Sequence, residues 1–205
     1  MPGLTASETF ASVATTMRDD AALEAHVLGA LDRGDRDDAL TALMREFGAP
    51  VYRYCRQLLG DATIAEDAHQ MVFAQAYEHF ATFQRRSSVR AWLLTIAHHR
   101  CLDVIKARQR FDKRFSLEGE APERAHPTPS AEAHLAAAAL ARAVEDCLAQ
   151  LPPHVRMAVV LRYREGFPYD EIAQICGERA GTVQARVARA MPQLRRCLEA
   201  KEAAP

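Results

Sequence analysis

The sequence predicts an all-α fold: two small helical domains joined by a flexible linker. Three observations carry this. Ala and Leu abound while β-branched runs are scarce. Apolar residues recur at helical spacing in every well-defined segment. One stretch, residues 112–131, carries three Pro and no apolar period. At 205 residues and 49% hydrophobic content, the chain can bury a core in one or two domains.

The elements follow in order. Residues 1–20, rich in Ala, Ser and Thr, read as a flexible extension. A helix is expected over 21–32, interrupted by Gly34 and Asp35. A second runs over about 37–59, with Pro50 marking a kink or short break and Gly60–Asp61 a turn. A third covers 62–80, burying Ile64, Ala68, Met71, Val72 and Ala76 and turning Glu66, Asp67, Gln70 and Gln75 outward. Residues 81–88 form a polar loop with one Phe and two Arg. A long helix over 89–110 follows. Its inward set is Val89, Trp92, Leu93, Ile96, Ala97, Val104 and Ile105; Arg90, His99, Arg100, Lys106, Arg108 and Arg110 supply charge. After the linker, helices resume at 132–150 and 153–164, the latter started by Pro152–Pro153. The domains are therefore 21–111 and 132–199.

Residues 167–196, FPYDEIAQICGERAGTVQARVARAMPQLRR, read as two helices joined by a tight turn. Pro168 suits a first turn, and Asp170 and Glu171 favour the positive helix end. Ile172 and Ile175 face inward, Ala173 permits a close crossing, and Gly177 supplies the turn. The second helix is expected to begin near Gly181–Thr182, with Thr182 as cap and Val183, Val187, Met191 and Leu194 as its apolar stripe. Gln184, Arg186, Arg189, Gln193 and Arg196 fall largely outside that stripe. Arg and Gln bond bidentately to guanine and adenine edges, and Ala-x3-Gly-x5-Val is the helix-turn-helix spacing. A plain helical hairpin with a charged face is the alternative reading of this spacing alone.

Net charge is only −1, but it is segregated. Residues 1–47 carry −5, 85–114 carry +7, and 178–201 carry +4. Two basic segments point to two nucleic-acid contacts; the acidic third points to protein or solvent. Five scattered cysteines without C-x-x-C read as small core residues in a reducing cytoplasm, with no pair visible in sequence. His98, His99 and Cys101 point in different directions on a helix, so no metal or other cofactor is expected. No run is long enough to insert in a membrane, and the N-terminus lacks a signal-peptide pattern.

Together the pieces resemble the extracytoplasmic function (ECF) sigma factors of bacterial RNA polymerase over roughly residues 26–199. VYRYCRQLLGDATIAEDAHQMVFAQAYEHFATFQRRSSVRAWLLTIAHHRCLDVIKARQR is similar to region 2 and LPPHVRMAVVLRYREGFPYDEIAQICGERAGTVQARVARAMPQLRRCL to region 4. The resemblance implies docking of helix 62–80 on core RNA polymerase through Asp67 and Gln70. It implies recognition and opening of the −10 element by Phe83, Gln84, Arg85, Arg86, Ser87 and Ser88 with Arg90, His99, Arg100 and Arg108. It implies reading of the −35 element by Thr182, Gln184, Arg186 and Arg189. Promoter DNA, core polymerase and an anti-sigma factor are the implied partners, and catalysis belongs to the polymerase. Trp92 is expected in the core, not as a base platform. Met71 stands where the family usually has Glu, Glu178 where an apolar residue is usual, and Gln184–Ala185 replace a basic-plus-Ser pair. The rival readings are a stand-alone helix-turn-helix regulator, with residues 1–130 as a sensor or dimerisation domain, and a helical enzyme using His98, His99 and cysteines.

Overall fold

The computed structural model describes residues 24–114 and 132–202. Within them the elements are helices, with no strand. Helix α1 covers 24–32. It is followed by α2 (Arg36–Leu59), α3 (Ala62–His79), a 3-10 turn (Phe80–Thr82) and α4 (Val89–Arg114). The second set is α5 (Glu132–Ala149), α6 (Pro153–Tyr163), α7 (Tyr169–Cys176) and α8 (Ala180–Glu202).

Local chemistry sets these boundaries. The Asp35 carboxylate accepts from the Asp38 N–H at 3.0 Å and starts α2, with Asp37 and Asp38 in the first turn. Gly60, at φ +77°, ends it by donating its N–H to the Arg56 carbonyl at 3.0 Å. Asp61 then caps α3 through the Ile64 N–H at 3.0 Å. Pro50 does not break α2, so of the expected kink or short break the break is excluded: the helix runs through it. The long helix likewise extends past its expected end, to Arg114. The rest of the expected linker and the extension 1–20 lie outside the described residues.

The first domain packs α2, α3 and α4 around one core. α2 contributes Ala39, Leu43, Phe47, Val51 and Cys55 at every fourth residue, with Tyr54 and Leu58 beside them. α3 buries Ala65, Ala68, Val72, Phe73 and Ala76, so its alanines bring it close to α2. The expected stripe erred at Met71, which is exposed. The buried face is rotated toward Phe73. On α4, Leu94, His98 and Cys101 are buried while Trp92 and Ile96 are only partly so. Cys55 and Cys101 meet, and that thiol hydrogen bond, with burial, pushes the Cys101 thiol up.

The second domain packs α5, α6 and α7 against α8, whose buried set is Val183, Val187, Ala190 and Leu194. Met191, expected inside, is exposed; Ala190 takes the inward place at spacing 183, 187, 190, 194. Cys147 and Cys197 form a disulfide across 50 residues, joining α5 to α8 with Cα atoms 5.8 Å apart. This corrects the reading of all five cysteines as unpaired core residues. Partners fifty residues apart leave no local signal in sequence.

Closing a loop of that length stabilises the folded state by up to about 4 kcal/mol in the chain-entropy model. Reduction, or Cys197→Ser, is expected to lower the urea midpoint of the second domain's helices while leaving the first domain's transition in place. Urea titration followed by circular dichroism, with and without reductant, checks this.

Candidate nucleic-acid interface

The helix-turn-helix is built as its sequence requires. Gly177 takes φ +66°, and the Glu178 N–H bonds back to the Ala173 carbonyl at 2.9 Å. α8 begins one residue before the expected start. Thr182 lies within its first turn and is not the cap; its N–H and that of Val183 donate to the Arg179 carbonyl at 2.9 and 3.1 Å. Thr182, Gln184 and Arg189 are exposed. Arg186 is half-buried and already engaged. Its two terminal nitrogens donate to Glu178 Oε1 at 2.9 Å and Oε2 at 2.6 Å. This explains the polar residue after the turn Gly: Glu178 is the partner of Arg186, and the guanidinium holds its carboxyl below the usual range.

Phe83 packs on Trp92, ring centroids 4.7 Å apart, so the loop aromatic is anchored to a partly buried indole. Gln84, Arg85 and Arg86 are exposed, and Arg85 adopts φ +55° while pairing with Asp32 of α1. Ser88, expected to face DNA, caps α4: its hydroxyl accepts from the Ala91 N–H at 3.1 Å. Ser87 is half-buried. Along α4, His99 and Arg108 are exposed, with His99 Nδ1 2.8 Å from the Thr95 carbonyl. Arg100 is half-buried, and its Nε is buried without a hydrogen-bond partner among the described residues. Asp67 and Gln70 lie on the exposed face of α3 beside Met71.

Arg90 does not present its charge to solvent. Its guanidinium donates to Glu165 at 2.6 Å and stacks 4.8 Å over the Phe167 ring. Only 14% and 5% of the two charged side chains are exposed. This pair joins the two domains, α7 lying on α4 and α6 on α2. Arg156, buried on α6, donates to the Gln57 carbonyl of α2 at 3.0 Å and to the carbonyls of Ala149 and Leu151 at 2.9 and 3.1 Å. Arg164 reaches Gln57 Oε1 at 2.6 Å. His98 is buried on the same side of α4. Burial, with His99 and Lys106 adding to it and Glu178 opposing, pulls its imidazole down to about 4. Sequence reasoning missed Glu165, Arg156, Gln57 and His98 as seam residues. The only available signal was charge within otherwise apolar helical runs. A groove of about 710 Å³ lies between α5, α6 and α8, with Tyr163 and Met191 on its rim.

Two family models match this chain: Sigma-70 region 2 over residues 43–111 and Sigma-70, region 4 over 141–194. The chain is 30% identical over 175 residues to the ECF RNA polymerase sigma factor SigK of Mycobacterium ulcerans, covering 85% of this chain and 92% of that one. It is 29% identical over 151 residues to SigK of Mycobacterium tuberculosis H37Rv, covering 73% and 80%. Among solved structures it resembles the sigma factor RpoE in complex with the anti-sigma factor NepR from Bartonella quintana. That match has TM-score 0.66 and 25% identity, over 78% of this chain and 95% of that one. It shares its fold with CnrH in complex with the cytosolic domain of CnrY, at TM-score 0.60 and 24% identity over 88% and 97%.

Two outcomes follow from the seam. Glu165→Ala removes the buried carboxylate 2.6 Å from the Arg90 guanidinium, at a cost of about 2 kcal/mol. Solution scattering is expected to show a larger radius of gyration than for the unaltered chain. His98 binds its proton less readily folded than unfolded. Its contribution is therefore complete above pH 6.5 and is lost as pH falls toward about 4. Acid titration of stability should show a drop of about 3 kcal/mol over that window, and His98→Gln should flatten it.

Proposed function

This chain belongs to the ECF RNA polymerase sigma factors, and from that premise we propose how its residues divide the work of initiation. The observation that carries the reading is the order of parts in one chain. A cationic loop and helix matched to region 2 precede a helix-turn-helix matched to region 4. The first domain, 21–111, docks on core polymerase through the exposed face of α3, with Asp67 and Gln70 at the contact. Its loop and α4 engage the −10 element. Phe83 offers a ring to an unstacked base, and Arg85, Arg86, Arg100, His99 and Arg108 face the separated strands. The second domain, 132–199, lays α8 in the −35 major groove with Thr182, Gln184, Arg186 and Arg189 toward DNA. Residues 112–131 link the two. The chain itself performs no catalysis and acts in the cytoplasm.

Geometry adds a condition. The −10 and −35 elements lie ~25 base pairs apart, which is ~85 Å at 3.4 Å per step. A compact globule of this size has a radius of gyration of only about 17 Å. The packed arrangement is therefore the form away from the promoter, and Arg90 is released from Glu165 when the domains part. A cognate anti-sigma factor, the kind of partner that RpoE carries in its complex with NepR, holds the packed form. The apolar groove beside Tyr163 and Met191 gives such a partner a place to bury its own apolar side chains.

Run-off transcription with core polymerase over a promoter library tests the reading: a specific −10/−35 pair should emerge only when this chain is present. Arg189→Ala is expected to lower −35-dependent transcription about tenfold, and Arg85→Ala with Arg86→Ala to slow promoter opening without changing −35 preference. Operator-like binding without polymerase, and no transcript with it, would instead support a stand-alone regulator.

A further inference from the structure

Beside Arg186 the structure holds a second feature. A cleft of about 390 Å³ opens between the start of α6 and the flank of α8, lined by Pro152, His154, Arg186, Arg189 and Gln193 among others. Its floor is apolar, with Pro152, Val155 and Ala190, and Arg186, Arg189, His154 and Gln193 bring cationic and polar groups to it; α6 begins there without a side-chain cap, leaving the positive end of its dipole toward the cleft. Arg186 lies beside the buried stripe of Val183, Val187 and Ala190, not on the outermost face where Gln184, Ala185 and Ala188 are exposed. When a recognition helix enters a major groove, its outer face meets base edges and its flanks meet the sugar–phosphate rails.

We propose that this cleft is a phosphate subsite of the DNA interface, taking one backbone phosphodiester, and that Glu178 is its internal competitor. The Glu178 carboxylate presents two oxygens to the Arg186 fork, as a phosphate does. With 16% and 28% of the two side chains exposed, the pair is within reach of an incoming strand. A DNA phosphate replaces the carboxylate on Arg186, with Arg189, His154 and Gln193 around it. Glu178 thus sets how much of the domain's affinity is independent of sequence. It lowers binding everywhere and so leaves discrimination to the outer face. The inference rests on the reading of α8 as the −35 helix.

The test uses holoenzyme reconstituted from core polymerase and the full chain, with labelled promoter fragments carrying matched and altered −35 elements, titrated from ~50 to ~200 mM salt. Glu178→Gln is expected to tighten binding about tenfold on every −35 sequence and to steepen the log–log salt slope by about one unit. Glu178→Ala should do the same, which guards against a local effect of the amide. Both gains should vanish in an Arg186→Gln background. Three results would overturn the proposal: a gain confined to one base pair, making Arg186 a base reader; a gain that persists without Arg186, reducing the effect to net charge; or no change, leaving the pair structural. Wild-type holoenzyme indifferent to the −35 element would instead sink the reading beneath it.

Discussion

Arg90 and Glu165 meet at 2.6 Å across the seam between the domains, and the Phe167 ring closes over the guanidinium. A buried pair of this kind adds little net stability, because desolvation offsets most of the attraction. Removing one partner, however, takes away the shortest contact of a charge that is largely out of water. The pair fixes how the domains meet, within an apolar cluster that runs through both of them, from Tyr54 and Cys101 to Ile172 and Ile175. Polar contacts stand beside it: Arg156 and Arg164 both reach Gln57. Parting the domains would expose apolar surface, a cost that binding to polymerase and promoter has to offset.

The same device recurs at the other cationic positions. Arg85 of the loop pairs with Asp32, Arg90 with Glu165, and Arg186 with Glu178. Three arginines assigned to DNA are thus occupied by the chain's own carboxylates. On the proposed reading, a protein of net charge −1 would bind a polyanion by exchanging internal carboxylates for phosphates. Only Asp32 comes from the acidic N-terminal third; Glu165 and Glu178 belong to the second domain, so the fold and not the segregation of charge along the sequence sets these pairs.

Helical bounds were largely legible in the sequence, because Asp35, Asp61, Pro153 and Gly177 act locally and carry fixed meanings. The helix-turn-helix was legible for the same reason. Met71 and Met191 were misplaced because a helix's rotation is settled by its neighbours, and an Ala or Phe one or two positions away filled the space. Thr182 was read as a cap but lies within the first turn of α8, while Ser88 takes the capping place on α4, a distinction that depends on where a helix begins. The Cys147–Cys197 disulfide and the Arg90–Glu165 pair were hidden because their members lie 50 and 75 residues apart. Composition could show a basic segment; it could not show which of its arginines had been taken.

The central claim is that one chain grips two promoter elements and must unpack to do so. Energy transfer between a dye on the exposed face of α3 and one at Arg196 of α8 reads that distance in the free chain and in the promoter-bound holoenzyme. The account predicts efficient transfer in the free chain and its near loss on the promoter, with the domains separated by several tens of ångströms. Unchanged transfer in a complex that still transcribes from both elements would contradict it.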